Sequence, residues 1–345
     1  MIRESIEKAS RRENISESEM IDTMNQIMEG NATPAQIGAL LIALRMKGET
    51  VTEITAAAKV MRSKSTRIPL PGSLSQPLVD TCGTGGDCAN TFNVSTTAAF
   101  VVAGAGAKVA KHGNRSVSSR CGSADLMEEL GLPLDLTPEQ VGMCIDRVGV
   151  GFLYAPVLHG AMKYAIGPRR ELGLRTIFNL LGPLTNPAGA GVQVMGVYAA
   201  DLVEPIGHVL ANLGVRSAFV VHGHGGLDEI SLSGPTIAAR VTEGRVYMET
   251  LNPVELGLAP QVNGGITGGD IKKNASMTRS VLNGEAGSHR DITVFNAAAA
   301  LVAVGMASDF REGMAMASDS IDSGSAMAKL SGLVEFSSSL KNGGV

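Results

Sequence analysis

Three glycines, Gly83, Gly85 and Gly86, crowd the first part of "DTCGTGGDCANTFNVSTTAAF", Asp80 to Phe100, and Thr91, Ser95, Thr96 and Thr97 follow them. Glycine gives up more conformational entropy on ordering than any other residue, so a packed strand or helix does not select such a run. A turn whose main chain another group approaches closely does. The run follows the strand-like "PLVD" and precedes the helix-like "STTAAFVVAGAG". In a strand–turn–helix unit of that kind, main-chain N–H groups and the helix N-terminus can hold an anion. The turn is not a Walker loop, since no G-K-[ST] follows. The G-x-G-x-x-G dinucleotide pattern fails because Asp87 and Cys88 follow Gly86.

Short apolar runs and helical stretches alternate along the rest of the chain. "PLVD", "AKVA", "GFLY", "VQVMGVYA" and "AFVVHG" read as buried parallel strands. "TIAARVTEGRVYMETL" reads as a hairpin turning at Glu243-Gly244, which makes the sheet mixed. From about Gly269 the alanine- and methionine-rich pattern is helical. The first seventy residues are helical too. Ser16 with Glu19, Thr33 with Gln36, and Thr50 with Glu53 match the capping box, Pro34 suits a first helical position, and Gly30 and Gly48 suit C-terminal caps. "QIGALLIALRM" is too densely apolar for a lone surface helix and predicts burial, against another subunit for example. "RIPLPGSLSQP", Arg67 to Pro77, reads as a linker.

Composition excludes several classes. Hydrophobic residues make up 44% of the 345 and charged residues 18%, so a substantial core is expected and wholesale disorder is not. A net charge of −4, with 3% aromatics and no tryptophan, argues against a nucleic-acid partner. The N-terminus has no apolar core of a signal peptide, and "AAFVVAGAGAKVA" falls short of the roughly 20 residues of a membrane span. The expectation is a soluble cytoplasmic chain with no membrane partner. Cys82, Cys88, Cys121 and Cys144 show no metal-ligand spacing and read as reduced thiols.

Three further stretches carry chemistry. "KHGNRSVSSRCGSAD" leads from "AKVA" into the helix-like "SADLMEELG" and sets Lys111, His112, Arg115 and Arg120 among Asn114, Ser118, Ser119 and Ser123. Cations and hydroxyls at a strand-to-helix turn suit a phosphate. "GLDEIS" puts Asp228 and Glu229 after "AFVVHG". Alone such a pair is ordinary exposed acid; beside two phosphate loops it suits Mg²⁺. "HGAMKYAIGPRRELGLRTIFNLLGPLTNP" carries His159, Lys163, Arg169, Arg170 and Arg175 in one helical-looking span, any of which could capture a carboxylate. Cys82, Cys88 and Cys121 fall in these phosphate-binding stretches, where nearby cations and helix N-termini would favour a reactive thiolate.

Taken in order, "DTCGTGGD", "TFNVSTTAA", "KHGNRSVSS", "CGSADLMEELG", "RTIFNLLGPLTNP" and "GLDEIS" resemble the anthranilate phosphoribosyltransferases, within the wider nucleoside phosphorylase-like phosphoribosyltransferase family. The resemblance runs almost end to end. It implies an α/β fold class: a small all-helical domain plus a larger α/β domain with a central, mostly parallel sheet flanked by helices. The small domain would span residues 1–70 with about 168–188 and form a homodimer; the α/β domain would span 74–167 and 189–345. Phosphoribosyl pyrophosphate (PRPP) would be held by Gly83, Gly86, Asp87, Thr91, Asn93, Val94, Ser95, Thr96, Lys111, His112, Gly113, Asn114, Arg115, Ser116, Val117, Ser118, Ser119 and Ser123. Anthranilate would meet Gly83, Asn114, His159, Arg169, Gly182 and Pro183. Ser95, Asp228 and Glu229 would bind Mg²⁺, two ions per subunit carried by PRPP. The chain departs from the family pattern at Cys88 for glycine, Cys121 for serine and Gly160 for proline.

The chemistry implied is transfer of a ribosyl 5-phosphate from pyrophosphate to an aromatic amine, in tryptophan biosynthesis. Such an amine is already a nucleophile, so no catalytic nucleophile or base is assigned. Positioning and stabilisation of the leaving charge remain as the protein's tasks. A pyrimidine-nucleoside phosphorylase is the nearest alternative, and it would handle one phosphate without needing the Asp228–Glu229 pair. A catalytically silent nucleic-acid-binding relative would predict a basic groove.

Overall fold

The computed structural model describes residues 1–70, 77–87, 89–116, 120–259, 265–341 and 343. Four helices open the chain: α1 (Ile2–Ser10), α2 (Glu17–Met28), α3 (Pro34–Lys47) and α4 (Val51–Lys64). All three expected capping boxes form at the starts of α2, α3 and α4. Each hydroxyl accepts from the N3 backbone N–H while the N3 side chain accepts from the cap N–H, so two orphan donors are satisfied at once. Gly30 and Gly48 take positive φ of 79° and 87° after α2 and α3. Glu53 goes beyond its cap. Its Oε1 accepts from Ile15 N at 2.8 Å and its Oε2 from Lys47 Nζ at 2.9 Å, with both side chains buried.

From Val79 the chain alternates strand and helix. Strands β1 (Val79–Gly83), β2 (Val109–Gly113), β3 (Val150–Tyr154), β4 (Val192–Gly196), β5 (Ser217–His222), β6 (Thr236–Thr242) and β7 (Arg245–Leu251) form one sheet in the order β3-β2-β1-β4-β5-β6-β7. The first five run parallel, and β6 and β7 are antiparallel. Glu243 and Gly244 both have positive φ, 51° and 75°, as a two-residue hairpin turn of the primed kind requires. The connecting helices are α5 (Val94–Gly104), α6 (Ser123–Glu129), α7 (Pro138–Arg147), α8 (Ala155–Leu158), α9 (Lys163–Leu172), α10 (Ile177–Leu181) and α11 (Val203–Asn212). Four more, α12 (Ile271–Leu282), α13 (Ser288–Val304), α14 (Phe310–Asp322) and α15 (Ser325–Lys341), complete the chain.

Alternate strand residues feed two cores, as the pleat dictates. Val79, Val192, Val194, Phe219 and Val221 join Phe100, Phe295 and Leu301 on one face. Cys82, Met195, Ala218 and Val220 point the other way, into an apolar cluster continuous with α1–α4 and α11. The span from His159 to Arg175, expected as one helix, is instead broken. A 3-10 turn at Gly160–Met162 precedes α9, and Gly173 in the left-handed region (φ 60°) ends it. Of "RIPLPGSLSQP", 71–76 lie outside the described residues.

One irregularity in the sheet bears on the site. β1 pairs with β4 at five successive positions, and β2 pairs with β3 at five, but β1 and β2 are in register only at Val79 and Val109. Beyond that pair, the two strands that lead into the expected phosphate loops are not joined by a regular ladder.

Glu53 makes the helical part's most exacting polar contact. Removing one partner of a buried pair leaves an uncompensated charge, so Glu53→Ala should lower unfolding free energy by about 3–5 kcal/mol. Glu29→Ala, which breaks the exposed Lys64–Glu29 pair, should change it by less than about 1 kcal/mol. Chemical denaturation of the two variants checks the contrast.

Candidate active site

The segment Leu227–Ser231 passes across the C-terminal ends of the central strands, and it can do so because three strand-end residues have no side chain. A Cβ on Gly196 would overlap the backbone carbonyl of Asp228, one on Gly83 the Asp228 carboxylate, and one on Gly223 the carbonyl of Glu229. Gly83 and Gly196 are register partners on β1 and β4, and Gly223 directly follows β5. Asn296 of α13 fixes the segment from below, accepting from Ile230 N at 2.9 Å and donating to Ile230 O at 3.0 Å.

That passage delivers the two acids to opposite sides of the glycine loop. Asp228 Oδ2 accepts from Gly85 N at 2.7 Å, and Glu229 Oε1 accepts from Ser95 N, in the first turn of α5, at 3.0 Å. Burial holds Asp228 above the ordinary carboxylate range, and the neighbouring Asp87 adds to the effect. Burial raises Glu229 well above its usual value, with Asp228 contributing. A buried and a partly buried acid that resist ionisation side by side mark a place where a cation is wanted. Among the described residues no cluster of three or more His, Cys, Asp or Glu side chains is disposed to hold a metal. An oxygen pair of this kind nevertheless fits Mg²⁺, which keeps several waters and takes one or two protein carboxylates with substrate phosphates.

The second loop begins at the end of β2. Lys111 and His112 are buried, and Lys111 Nζ donates to His112 O at 3.1 Å. Gly113 has no room for a Cβ, because Ser123 Oγ and the Phe152 ring stand against it. Ser123 Oγ lies 3.2 Å from both Asn114 N and Asn114 O, closing the loop onto α6. Asp125 Oδ2 accepts from Ser116 N at 3.1 Å and Gly122 N at 3.0 Å. Arg115 is committed to α6 through ion pairs with Asp125 at 2.9 Å and Glu128 at 2.8 Å, so a phosphate would have to compete for its guanidinium. Val117, Ser118 and Ser119, like Cys88, lie outside the described residues. Asn93 Nδ2 donates to Cys121 O at 3.3 Å, and its buried Oδ1 has no partner among the described residues. Val94 and Thr96 are buried in the first turn of α5, whereas Thr91 is bridged to Thr267.

His159 meets this loop directly. Its Nε2 lies 3.3 Å from His112 Nε2. Burial lowers His112 to about 3, with the His159 and Lys111 charges adding to it, and burial lowers His159 to about 4, so both rings are neutral. A hydrogen bond with the Gly182 backbone acts on His112 in the opposite sense, which places Gly182 beside the pair. Pro183 O is held by Gln193 Nε2 at 2.6 Å. Arg169 lies half-buried with its guanidinium 5.1 Å from the Phe178 ring centroid, and no carboxylate partner is found among the described residues. Gly160, where the family has proline, faces open space and costs no packing.

Two expectations need revision. Cys82 is not in a loop; it lies buried on β1, where burial and then the Asp80 charge raise its thiol well above the usual value. Cys121 is also buried and is pushed up to about 12. Neither is a favoured thiolate: at Cys82 desolvation outweighs Lys111, and at Cys121 the neighbouring carboxylates add to it. The sequence reading also passed over Arg175 as a loop contact. Its guanidinium donates to Gly86 O and sits 4.7 Å from the Tyr198 ring centroid, and its own carbonyl accepts from Arg45 of α3 at 2.6 Å. Nothing in its local pattern distinguishes it from Arg169 or Arg170, since the contact is made across 89 residues.

Comparison with known proteins agrees with this geometry. Residues 75–327 match the glycosyl transferase family α/β domain, and residues 3–65 the helical bundle domain of the same family. The chain is 56% identical to the anthranilate phosphoribosyltransferase of Geotalea uraniireducens, over 97% of this chain and 99% of that one. It is also 56% identical to that of Pelotomaculum thermopropionicum, over 99% of each. Among solved structures, the anthranilate phosphoribosyltransferase of Thermus thermophilus superposes with a TM-score of 0.91 at 40% identity, covering 97% of this chain and 99% of that one. The Saccharomyces cerevisiae enzyme in complex with PRPP and Mg superposes with a TM-score of 0.89 at 28% identity, covering 98% of each chain. A chain that shares this much sequence and both domains with these proteins belongs to the anthranilate phosphoribosyltransferase family.

Proposed function

We propose that this chain transfers the 5-phosphoribosyl group of PRPP to the amine of anthranilate, giving N-(5-phosphoribosyl)anthranilate and pyrophosphate in tryptophan biosynthesis, with Mg²⁺. The observation that carries this reading is the Asp228–Glu229 pair stitched between the glycine loop and the start of α5. A phosphorylase handling a single phosphate would have no use for it. Gly83, Gly86 and Asp87 serve the pyrophosphate, Thr91 and Asn93 to Thr96 continue the site, and Lys111 to Ser119 with Ser123 serve the phosphates and ribose. Within that span Arg115 acts through its hold on α6. Asp228 and Glu229, with Ser95, would hold Mg²⁺, two ions per subunit, which would supply charge neutralisation for the leaving group.

Anthranilate's carboxylate is taken by Arg169, whose stacking on Phe178 leaves its fork of donors open toward a ligand. Its ring lies along His159, Gly182 and Pro183, and Gly83 and Asn114 meet the amine end. The neutral His112–His159 pair adds no positive charge that would compete with Arg169 for that carboxylate. The amine's lone pair forms the N–C1 bond while the C1–O bond breaks and its electrons leave with pyrophosphate; the amine proton is lost afterwards. Main-chain donors of the glycine loop and Lys111 stabilise the departing charge.

The helical part forms the homodimer interface. Along α3, Ala39, Ile42, Ala43 and Met46 make an apolar stripe at i, i+3, i+4 and i+7 that the chain's own core leaves partly or fully open, with Met46 71% exposed. Ile6, Ala9 and Leu172 continue it into a groove of about 570 Å³. The enzyme acts in the cytoplasm.

Three measurements bear on these assignments. Anthranilate fluorescence should fall only when PRPP and Mg²⁺ are both present, and Asp228→Asn with Glu229→Gln should abolish the Mg²⁺ response while the protein stays folded; phosphorolysis of thymidine or uridine would overturn the reading. Arg169→Ala should raise the anthranilate KM far more than the PRPP KM, since one charge-assisted contact is worth roughly 1.5–3 kcal/mol, or about 10- to 150-fold. In sedimentation, wild type should run as a dimer and Ile42→Glu with Met46→Glu as a monomer.

A further inference from the structure

Asp80 takes no part in the proposed chemistry, yet it is fully buried and ionisable at the middle of the sheet. Its neighbours explain its position. β1 and β2 pair only at Val79 and Val109, so beyond that point the main-chain groups facing the gap lack a regular parallel ladder. The Asp80 carboxylate occupies that gap. Oδ1 accepts from His112 N at 3.1 Å, and Oδ2 accepts from Asn186 Nδ2 at 2.8 Å. Asn186 Nδ2 also donates to Ala110 O at 2.8 Å, while its Oδ1 accepts from Ala188 N at 2.9 Å. Asp80 and Asn186 thus satisfy an N–H and a carbonyl on either side of Lys111.

We infer that Asp80, seated by Asn186, is a positioning residue: it substitutes for the missing ladder between β1 and β2 and orients the Lys111–His112 turn toward the substrate phosphates. Two independent features support it. Lys111 is only 4% exposed, and its ammonium acts electrostatically on Asp80, Cys82 and Glu229, so Asp80 is among the few buried negative groups that balance it. His112, whose N–H Asp80 holds, is also the ring that meets His159. A mere gap-filler would need neither a charge nor a bond to that particular N–H. The inference rests on the reading that Lys111 serves the phosphates of PRPP.

The test uses two separate variants, Asp80→Asn and Asn186→Ala. Asn at 80 can still accept from His112 N, but it sets amide against amide at Asn186 and removes the charge near Lys111. The PRPP KM should rise about 10-fold or more, the range for losing a charge-assisted contact, while the anthranilate KM stays within about twofold. Asn186→Ala keeps the charge of Asp80 but removes the amide that seats it and that donates to Ala110 O, so it should raise the PRPP KM with the same selectivity. If Asp80→Asn does not fold, Asn186→Ala alone decides, by the same split between the two KM values. An unchanged PRPP KM, or equal rises in both KM values, would overturn the inference. Wild-type protein that fails to consume anthranilate with PRPP and Mg²⁺ would instead remove the reading of the site beneath it.

Discussion

The main chain at Asp228 runs so close over β4 that one methyl group on Gly196 would overlap its carbonyl oxygen. Gly83 and Gly223 keep the same clearance on the flanking strand ends. Because the segment lies this low, its two acids reach Gly85 N and Ser95 N directly. The glycine loop takes its shape from the acid it donates to. The first turn of α5 is tied down by the other. Three residues without side chains therefore set where the cation-seeking charge of the site can lie.

The electrostatics follow from burial more than from charge count. The chain carries a net −4, and the acids of the site are part of that excess. Asp80, Asp228 and Glu229 are all raised by desolvation, and Lys111 offsets part of it for Asp80 and Glu229. Nearby, two histidines are held neutral and Arg169 keeps its charge over an aromatic face. Two acids held by Gly85 N and Ser95 N, and a cation without a carboxylate partner among the described residues, suit a reaction in which a polyanion leaves and a carboxylate-bearing amine arrives.

Much of this was legible in the chain itself. Capping boxes at Ser16, Thr33 and Thr50, the five parallel strands, and the hairpin at Glu243-Gly244 are local signals, each set by hydrogen bonds or φ preferences within a few residues. The glycine loop, the Lys111 loop and the Asp228–Glu229 pair announced themselves by composition at strand ends, where α/β sheets place ligands. The order of those motifs carried the family.

What the sequence could not determine are the matters settled across long separations. Whether Cys82 is a reactive thiol depends on which way one strand residue points, and it points into an apolar core. Arg115 reads as a loop cation, and its pairing with Asp125 and Glu128 appears only when α6 packs beside it. Arg175 and Asp80 acquire their contacts from Gly86 and Asn186, 89 and 106 residues away, and no local pattern encodes such a partner. Propensity and capping act between neighbours in the chain. Desolvation, counter-charges and the interrupted ladder between β1 and β2 exist only once the sheet has assembled, so only the tertiary structure could decide them.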